Sequence, residues 1–154
     1  PIRRILAPTD FSEHSEHATT YAARLARQLG ASLVLAHIVE MPIYGSPFPV
    51  PPVGYMGLDF EKIARETLEK AAKLLRDNGL TVDVVVQEGS AWRGIIDTAS
   101  REGADLIVMA THGRHGLSRA LIGSIAEKVV RWSPIPVLTT AMKDAAHTEG
   151  TQPR

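Results

Sequence analysis

Cysteine is absent from this 154-residue chain, which removes disulfides, thiolate nucleophiles and Cys-based zinc sites together. Any chemistry must come from oxygen, imidazole, ammonium, guanidinium or backbone groups. Net charge is also absent: seventeen Lys plus Arg balance seventeen Asp plus Glu. No global field therefore draws the protein toward nucleic acid or anionic lipid, and a non-specific DNA binder is not expected. No apolar run approaches the roughly 18 to 20 residues that cross a bilayer, so no membrane partner is expected. The opening PIRRILAPTD has none of the anatomy of a secretory signal, and the expected compartment is the cytoplasm.

What is present is the composition of a globular domain, 44% hydrophobic and 22% charged. The length suits one core. Short β-branched runs alternate with amphipathic stretches. Residues 2–8 read as a first strand. A helix over 12–29 carries Ala18, Ala22, Leu25 and Leu29 at helical spacing, with Gly30 as its stop. A strand over 32–39 follows, then a helix over 58–78 with Ala64, Leu68, Ala71 and Leu75 on its buried face and Gly79 at its end. Next come a strand over 81–87 and a helix capped by Ser90 that buries Trp92, Ile95, Ile96 and Ala99. Residues 105–110, 124–132 and 135–140 complete the alternation as strand, helix and strand. Parallel neighbours need crossovers, so this alternation predicts a doubly wound α/β domain with a mainly parallel five-stranded sheet and helices on both faces. The domain is expected to span 1–142.

Two segments break the pattern. Residues 41–57 (MPIYGSPFPVPPVGYMG) hold five of the ten prolines and three of the twelve glycines, too many breakers for a regular element. A long surface loop is expected there, either a lid or docking segment built on Tyr44, Phe48 and Tyr55, or a variable insertion. Residues 143–154 offer no apolar face and are expected to form a mobile tail. Pro136 cannot donate to a strand ladder, which puts the last strand at a sheet edge where a symmetric partner can add.

The stretch ATHGRHGLSRALIGS at 110–124 is the most suggestive. It follows a buried strand, and ligands of open α/β sheets sit at strand carboxyl ends. Gly113 and Gly116 let backbone amides curl around an anion, and Gly123-Ser124 then opens a helix whose first amides face the same space. Arg114, Arg119, Lys128 and Arg131 stand against Glu127 alone between Gly113 and Arg131. A phosphate ester suits such a place. The plainer alternative is a capping box, with Ser124 accepting from the Glu127 amide and Glu127 reaching back. A second polar strand end, Pro8-Thr9-Asp10 followed by Phe11-Ser12, can serve ribose hydroxyls or nucleotide-bound magnesium. Asp10 or Ser12 can equally be just a helix cap.

Ala110, Gly113, Gly123 and Ser124 in A-x-x-G-x9-G-S spacing, PTDFS at 8–12, LAHIVE at 35–40 and SPIPVL at 133–138 together resemble the universal stress protein family over residues 2–141. The resemblance implies strand order 3-2-1-4-5, a homodimer through strand 135–140, and ATP, AMP or ADP with magnesium as ligand. It places Pro8, Thr9 and Asp10 along the adenosine, Ile38, Met109 and Ala110 around the base and ribose, and Gly113, Gly123, Ser124 and Ile125 at the phosphates, where the local excess of positive charge adds Arg114 as a candidate. Asp10 is the candidate magnesium contact. The sequence departs from the family motif at Ala110, where the family has glycine.

The function expected is that of a stress-associated, cytoplasmic nucleotide-binding module with at most slow hydrolysis or autophosphorylation, because no residue beyond Asp10 offers itself as a positioned base. The alternative is a nucleotide-free dimeric scaffold acting through its edge strand and proline-rich loop. A flavin carrier on the same architecture is a third reading. His112 reads as an anion donor and His37 as a satisfied structural histidine. The pairs His14/His17 and His112/His115 have metal-ligand spacing but no evident third ligand. Trp92 and Trp132 are expected in a core or an interface, and Lys62, Arg65, Glu66, Glu69, Lys70 and Lys73 on a solvated helix face.

Overall fold

The computed structural model describes residues 1–40, 59–112 and 122–142. In chain order its elements are β1 (Arg4–Pro8), α1 (Glu13–Leu29), β2 (Ser32–Val39), α2 (Phe60–Asp77), β3 (Val82–Glu88), α3 (Ala91–Arg101), β4 (Leu106–Ala110), α4 (Ser124–Trp132) and β5 (Val137–Thr140). All four pairings are parallel, and the order is β3-β2-β1-β4-β5. The family resemblance implied that order, and Pro136 implied the edge position of β5.

Strands covered on both faces need apolar residues at every position, and the three central strands have them. Ile5, Ala7, Leu33, Leu35, Leu106 and Val108 pack with Ala22, Ala23 and Ala26 of α1 and Leu68 and Ala72 of α2. Their neighbours Leu6, Val34, Ala36, Ile38, Ile107 and Met109 point the other way, toward Ile95 and Ala99 of α3 and Ala126 and Val129 of α4. Ile5, Leu6, Leu33, Leu35 and Ile107 are fully buried, each contributing about 1.5–3 kcal/mol of transfer free energy. The centre of the sheet is thus where stability concentrates. Crossovers from β1 and β4 leave toward opposite faces, which opens a crevice at the carboxyl ends of these two adjacent strands.

Several local expectations shift. In α2 the buried small residue is Ala72, while Ala71 is exposed. Adjacent alanines are equally apolar, and Ala72 continues the i, i+4 line of Ala64 and Leu68. In α3, Trp92 and Ile96 are only half-buried, and Gly94 and Thr98 join Ile95 and Ala99 inside. A Cβ on Gly94 would lie 2.9 Å from two carbons of Ile38, so the glycine sets how closely α3 lands on β2. Trp132 is 64% exposed, which excludes the core for it. Strand β5 begins after Pro136, whose carbonyl still accepts from Ile107 N. Gly30 closes α1 at φ 66°, the left-handed region that favours glycine. The charged face of α2 is exposed, with ion pairs such as Lys73–Asp77 at 2.7 Å that add little. Segments 41–57 and 143–154 and their expected roles lie outside the described residues.

The amino ends of the strands are tied by charge. Asp105 accepts from Arg3 N at 2.8 Å and Arg4 N at 3.0 Å, and these two amides, in that order, hold its carboxyl below the usual range. The Arg4 guanidinium lies 2.9 Å from Asp83 and 2.8 Å from Glu102. Partial burial opposes its charge, and the bonds to Glu102 and Asp83 outweigh that and raise its pKa.

Candidate functional site

At the carboxyl end of β1 the chain turns sharply through polar residues. Thr9 N extends the ladder by one bond to Ala36 O, and the Thr9 hydroxyl accepts from Phe11 N at 3.0 Å while lying 2.9 Å from Ser15 Oγ. Asp10 Oδ1 accepts from Ser12 N at 3.0 Å, forming an Asx turn. Ser12 Oγ accepts from Ser15 N at 3.2 Å, so Ser12 is the N-cap of α1 and the plain reading of that residue holds. Between them Phe11 sits at φ 64°, a conformation L side chains rarely adopt and one that costs on the order of 1–3 kcal/mol. Two contacts hold it: its amide on Thr9, and its ring 4.5 Å from the His37 ring. His37 Nδ1 bonds Thr9 O at 2.7 Å, a satisfied structural role.

Backbone direction identifies what the crevice can offer. Along β2, Leu33 N and Val39 O bond toward β3, whereas Ser32 N and Ala36 O bond toward β1. Ile38 belongs to the second set, and pairing with β1 ends at Pro8↔Ala36. Its N–H and C=O therefore face the space that β1 has left. Along β4, Ile107 N and Thr111 N bond toward β5. Met109 shares their direction and pairs with Thr139, so its backbone turns to β5 and its buried side chain to the α3–α4 face. The backbone of Ala110 faces the β1 side. Glu40, just past β2, accepts from Ala91 N at 2.9 Å and caps α3 in place of Ser90, whose side chain makes no cap bond.

The end of β4 meets the start of α4. Gly123 N donates to Thr111 O at 2.7 Å, and a Cβ on Gly123 would lie 2.9 Å from that oxygen. Its φ of −62° suits any residue; glycine is required by contact. Gly123 is itself the N-cap, which makes Ser124 the first helical residue. The capping box consequently does not form, and Glu127 instead pairs with Arg131 at 2.6 Å. The first intrahelical bond runs from Glu127 N to Gly123 O. Among the described residues, the amides of Ser124, Ile125 and Ala126 have no hydrogen-bond partner, the usual state of a helix start. Ser124 and Ile125 are exposed.

The structure thus gathers Pro8, Thr9, Asp10, Ile38, Ala110, Gly123, Ser124 and Ile125 around one crevice, with Met109 behind it. Gly113 and Arg114 lie outside the described residues. One feature was missed: His14, in the first turn of α1, faces His112 with ring centroids 6.0 Å apart. The only signal for it was a histidine just inside the helix that follows a crevice strand. Among the described residues, no group of three or more His, Asp or Glu side chains can hold a metal ion. No helix among them is long and apolar enough to cross a membrane.

A parallel sheet ordered 3-2-1-4-5, with a polar crevice where its two central strands end side by side, defines a doubly wound α/β domain. Within that class the chain belongs to the universal stress protein family, whose profile matches residues 1–140. Universal stress protein MJ0531 of Methanocaldococcus jannaschii is 34% identical over 140 residues, spanning 88% of this chain and 80% of that protein. Universal stress protein MJ0577 of the same organism is 30% identical, over 93% of this chain and 97% of its own length. Its solved structure superposes with a TM-score of 0.73 at 26% identity, covering 94% of this chain and 99% of that one. A universal stress protein from Archaeoglobus fulgidus, solved in complex with dAMP, shares the fold with a TM-score of 0.63 at 22% identity, over 90% of this chain and 97% of its own.

Proposed function

We propose that this protein binds an adenine nucleotide, ATP or its products AMP and ADP, in the crevice between β1 and β4, and works as a stress-associated binding module. The observation that carries the reading is the junction of β4 and α4. Gly123, with no room for a Cβ, seats the α4 start against Thr111, and the amides of Ser124, Ile125 and Ala126 have no partner among the described residues. Such amides, with the positive end of the helix dipole behind them, are a ready anion site. The residues present fit a nucleotide: backbone groups of Ile38 and Ala110 for the base and ribose, Ser124 and Ile125 for phosphate. Asp10 would serve ribose hydroxyls or nucleotide-bound magnesium. Gly113 and Arg114 would complete the phosphate contacts. The dAMP complex of the A. fulgidus relative is consistent with this reading.

The same proposal includes a homodimer through residues 135–140 and a cytoplasmic location. Strand β5 is a sheet edge, and Val130 and Trp132 are exposed beside it, apolar surface of the kind a symmetric partner covers. A scaffold acting through this edge alone is the competing function. Calorimetric titration with ATP and magnesium separates the two. Binding that raises the melting temperature supports the nucleotide reading, and no heat or shift with millimolar ATP, ADP or AMP leaves the scaffold.

A further inference from the structure

We propose that Phe11 is a positioning residue for the nucleotide: its ring, docked on His37, holds the left-handed turn that sets the Asp10 carboxylate at the crevice. This rests on the nucleotide reading above and adds to it the residue that presets the site before ligand arrives.

Every other positive-φ position among the described residues is a glycine, the residue that takes such angles without strain. Glycine would serve here as well if chain reversal were all the turn had to do. Phenylalanine at φ 64° brings a ring, and that ring lies 4.5 Å from the His37 ring at an interplanar angle of 33°. The pairing of β1 with β2 ends at Pro8↔Ala36, so His37 is the first β2 residue beyond it. Its side chain takes over where the ladder stops. His37 Nδ1 lies 2.7 Å from Thr9 O, and because a carbonyl only accepts, Nδ1–H is the donor. One imidazole thus holds the turn at two points, the Thr9 carbonyl and the Phe11 ring.

The consequence falls on Asp10, which stands between those two points. Phe11 N donates to Thr9 Oγ1 and Ser12 N to Asp10 Oδ1, each at 3.0 Å, and the second bond fixes how the carboxylate is turned. Ser12 in turn caps α1 through Ser15 N, so the far side of Asp10 is tied to the helix. A carboxylate oriented in advance meets ribose hydroxyls or nucleotide-bound magnesium without the cost of ordering a loop. Strain kept at such a place is a form of preorganisation. A ring that served stability alone would make affinity follow stability from variant to variant. A positioning ring separates the two.

The test compares wild type, Phe11→Gly, Phe11→Asn and Phe11→Tyr by calorimetric titration with ATP and magnesium and by thermal melting. Glycine and asparagine both accept the left-handed backbone without a ring, and the second carries the test should the first not fold. Either should melt within about 4 °C of wild type, since released strain offsets the lost ring contact, yet bind ATP about 10-fold more weakly. Phe11→Tyr keeps the ring and should match wild type. In free Phe11→Gly the Ser12 amide should exchange faster than in wild type. Asp10→Asn, which keeps an oxygen for Ser12 N and removes the charge, shows whether the effect runs through Asp10. It should weaken ATP binding about 10-fold in wild type and less than about 2-fold beside Phe11→Gly or Phe11→Asn. Unchanged affinity in both ringless variants, affinity that falls only in step with melting temperature, or an Asp10→Asn effect equal in both backgrounds would overturn the positioning role and leave nucleotide binding standing. Absence of ATP, ADP and AMP binding by wild type would overturn both.

Discussion

The two ends of the sheet are built by different rules. At the amino ends of the strands, charges are paired and amides answered: Asp105 on Arg3 N and Arg4 N, Arg4 on Asp83 and Glu102. Sharp reversal there is given to Gly30. At the carboxyl ends, a phenylalanine occupies a left-handed conformation, three amides at the α4 start have no partner among the described residues, and two imidazoles face each other. Backbone strain and unmet donors collect where a ligand can use them. One end closes the fold, the other carries the proposed site, and the buried centre of β1, β2 and β4 lies between them.

That contrast can be broken at measurable points. The largest effect belongs to the shared centre: Leu35→Ala should lower stability to urea by about 2–5 kcal/mol, and it should weaken both ends alike. Gly123→Ala comes next, because its new methyl meets backbone oxygen 2.9 Å away. Overpacking of this kind costs about 1–3 kcal/mol, and nucleotide affinity should fall at least about 10-fold with the circular dichroism spectrum kept. Arg4→Met should cost about 1–2 kcal/mol, since it strands Asp83 and Glu102 at a partly solvated site. Its nucleotide affinity should match wild type; a drop equal to that of Gly123→Ala would mean that the ends are not independent.

The smallest effect is confined to acid. Asp105 is exposed, and its lowered carboxyl supplies stability that is fully present above the ordinary aspartate value near ~3.9 and is lost as pH falls through its folded value. Wild type should exceed Asp105→Asn in melting temperature by a constant margin near neutrality, and the margin should shrink below about pH 4. A margin that instead widened in acid would reverse the assigned role.

How much of this was legible depended on whether neighbours in sequence decided the outcome. Strands β1, β2 and β4 declared themselves because residues buried on both faces must be apolar in succession, and α4 kept its expected bounds. Pro136 signalled an edge but shortened β5. Ala71 and Ala72 differ only in angle around α2, which sequence alone could not rank. The capping box at Ser124 obeyed the local pattern, yet a tertiary bond from Gly123 N to Thr111 O moved the cap by one residue. His14 and His112 are 98 positions apart in the chain. Their meeting follows from the adjacency of β1 and β4 and the turn at Phe11, neither of which helical or strand periodicity records. Ser90 lost its capping role to Glu40 for a similar reason: the carboxylate arrives from a different strand end.

Amide hydrogen exchange with and without ATP asks most directly whether the carboxyl end is the binding end. Added nucleotide should slow exchange at Phe11, Ser12, His112 and Ser124 to Ala126, and leave Arg3, Arg4 and Glu102 to Asp105 unchanged. Protection confined to the Arg4 and Asp105 end, or equal exchange everywhere at saturating ATP, would contradict the account.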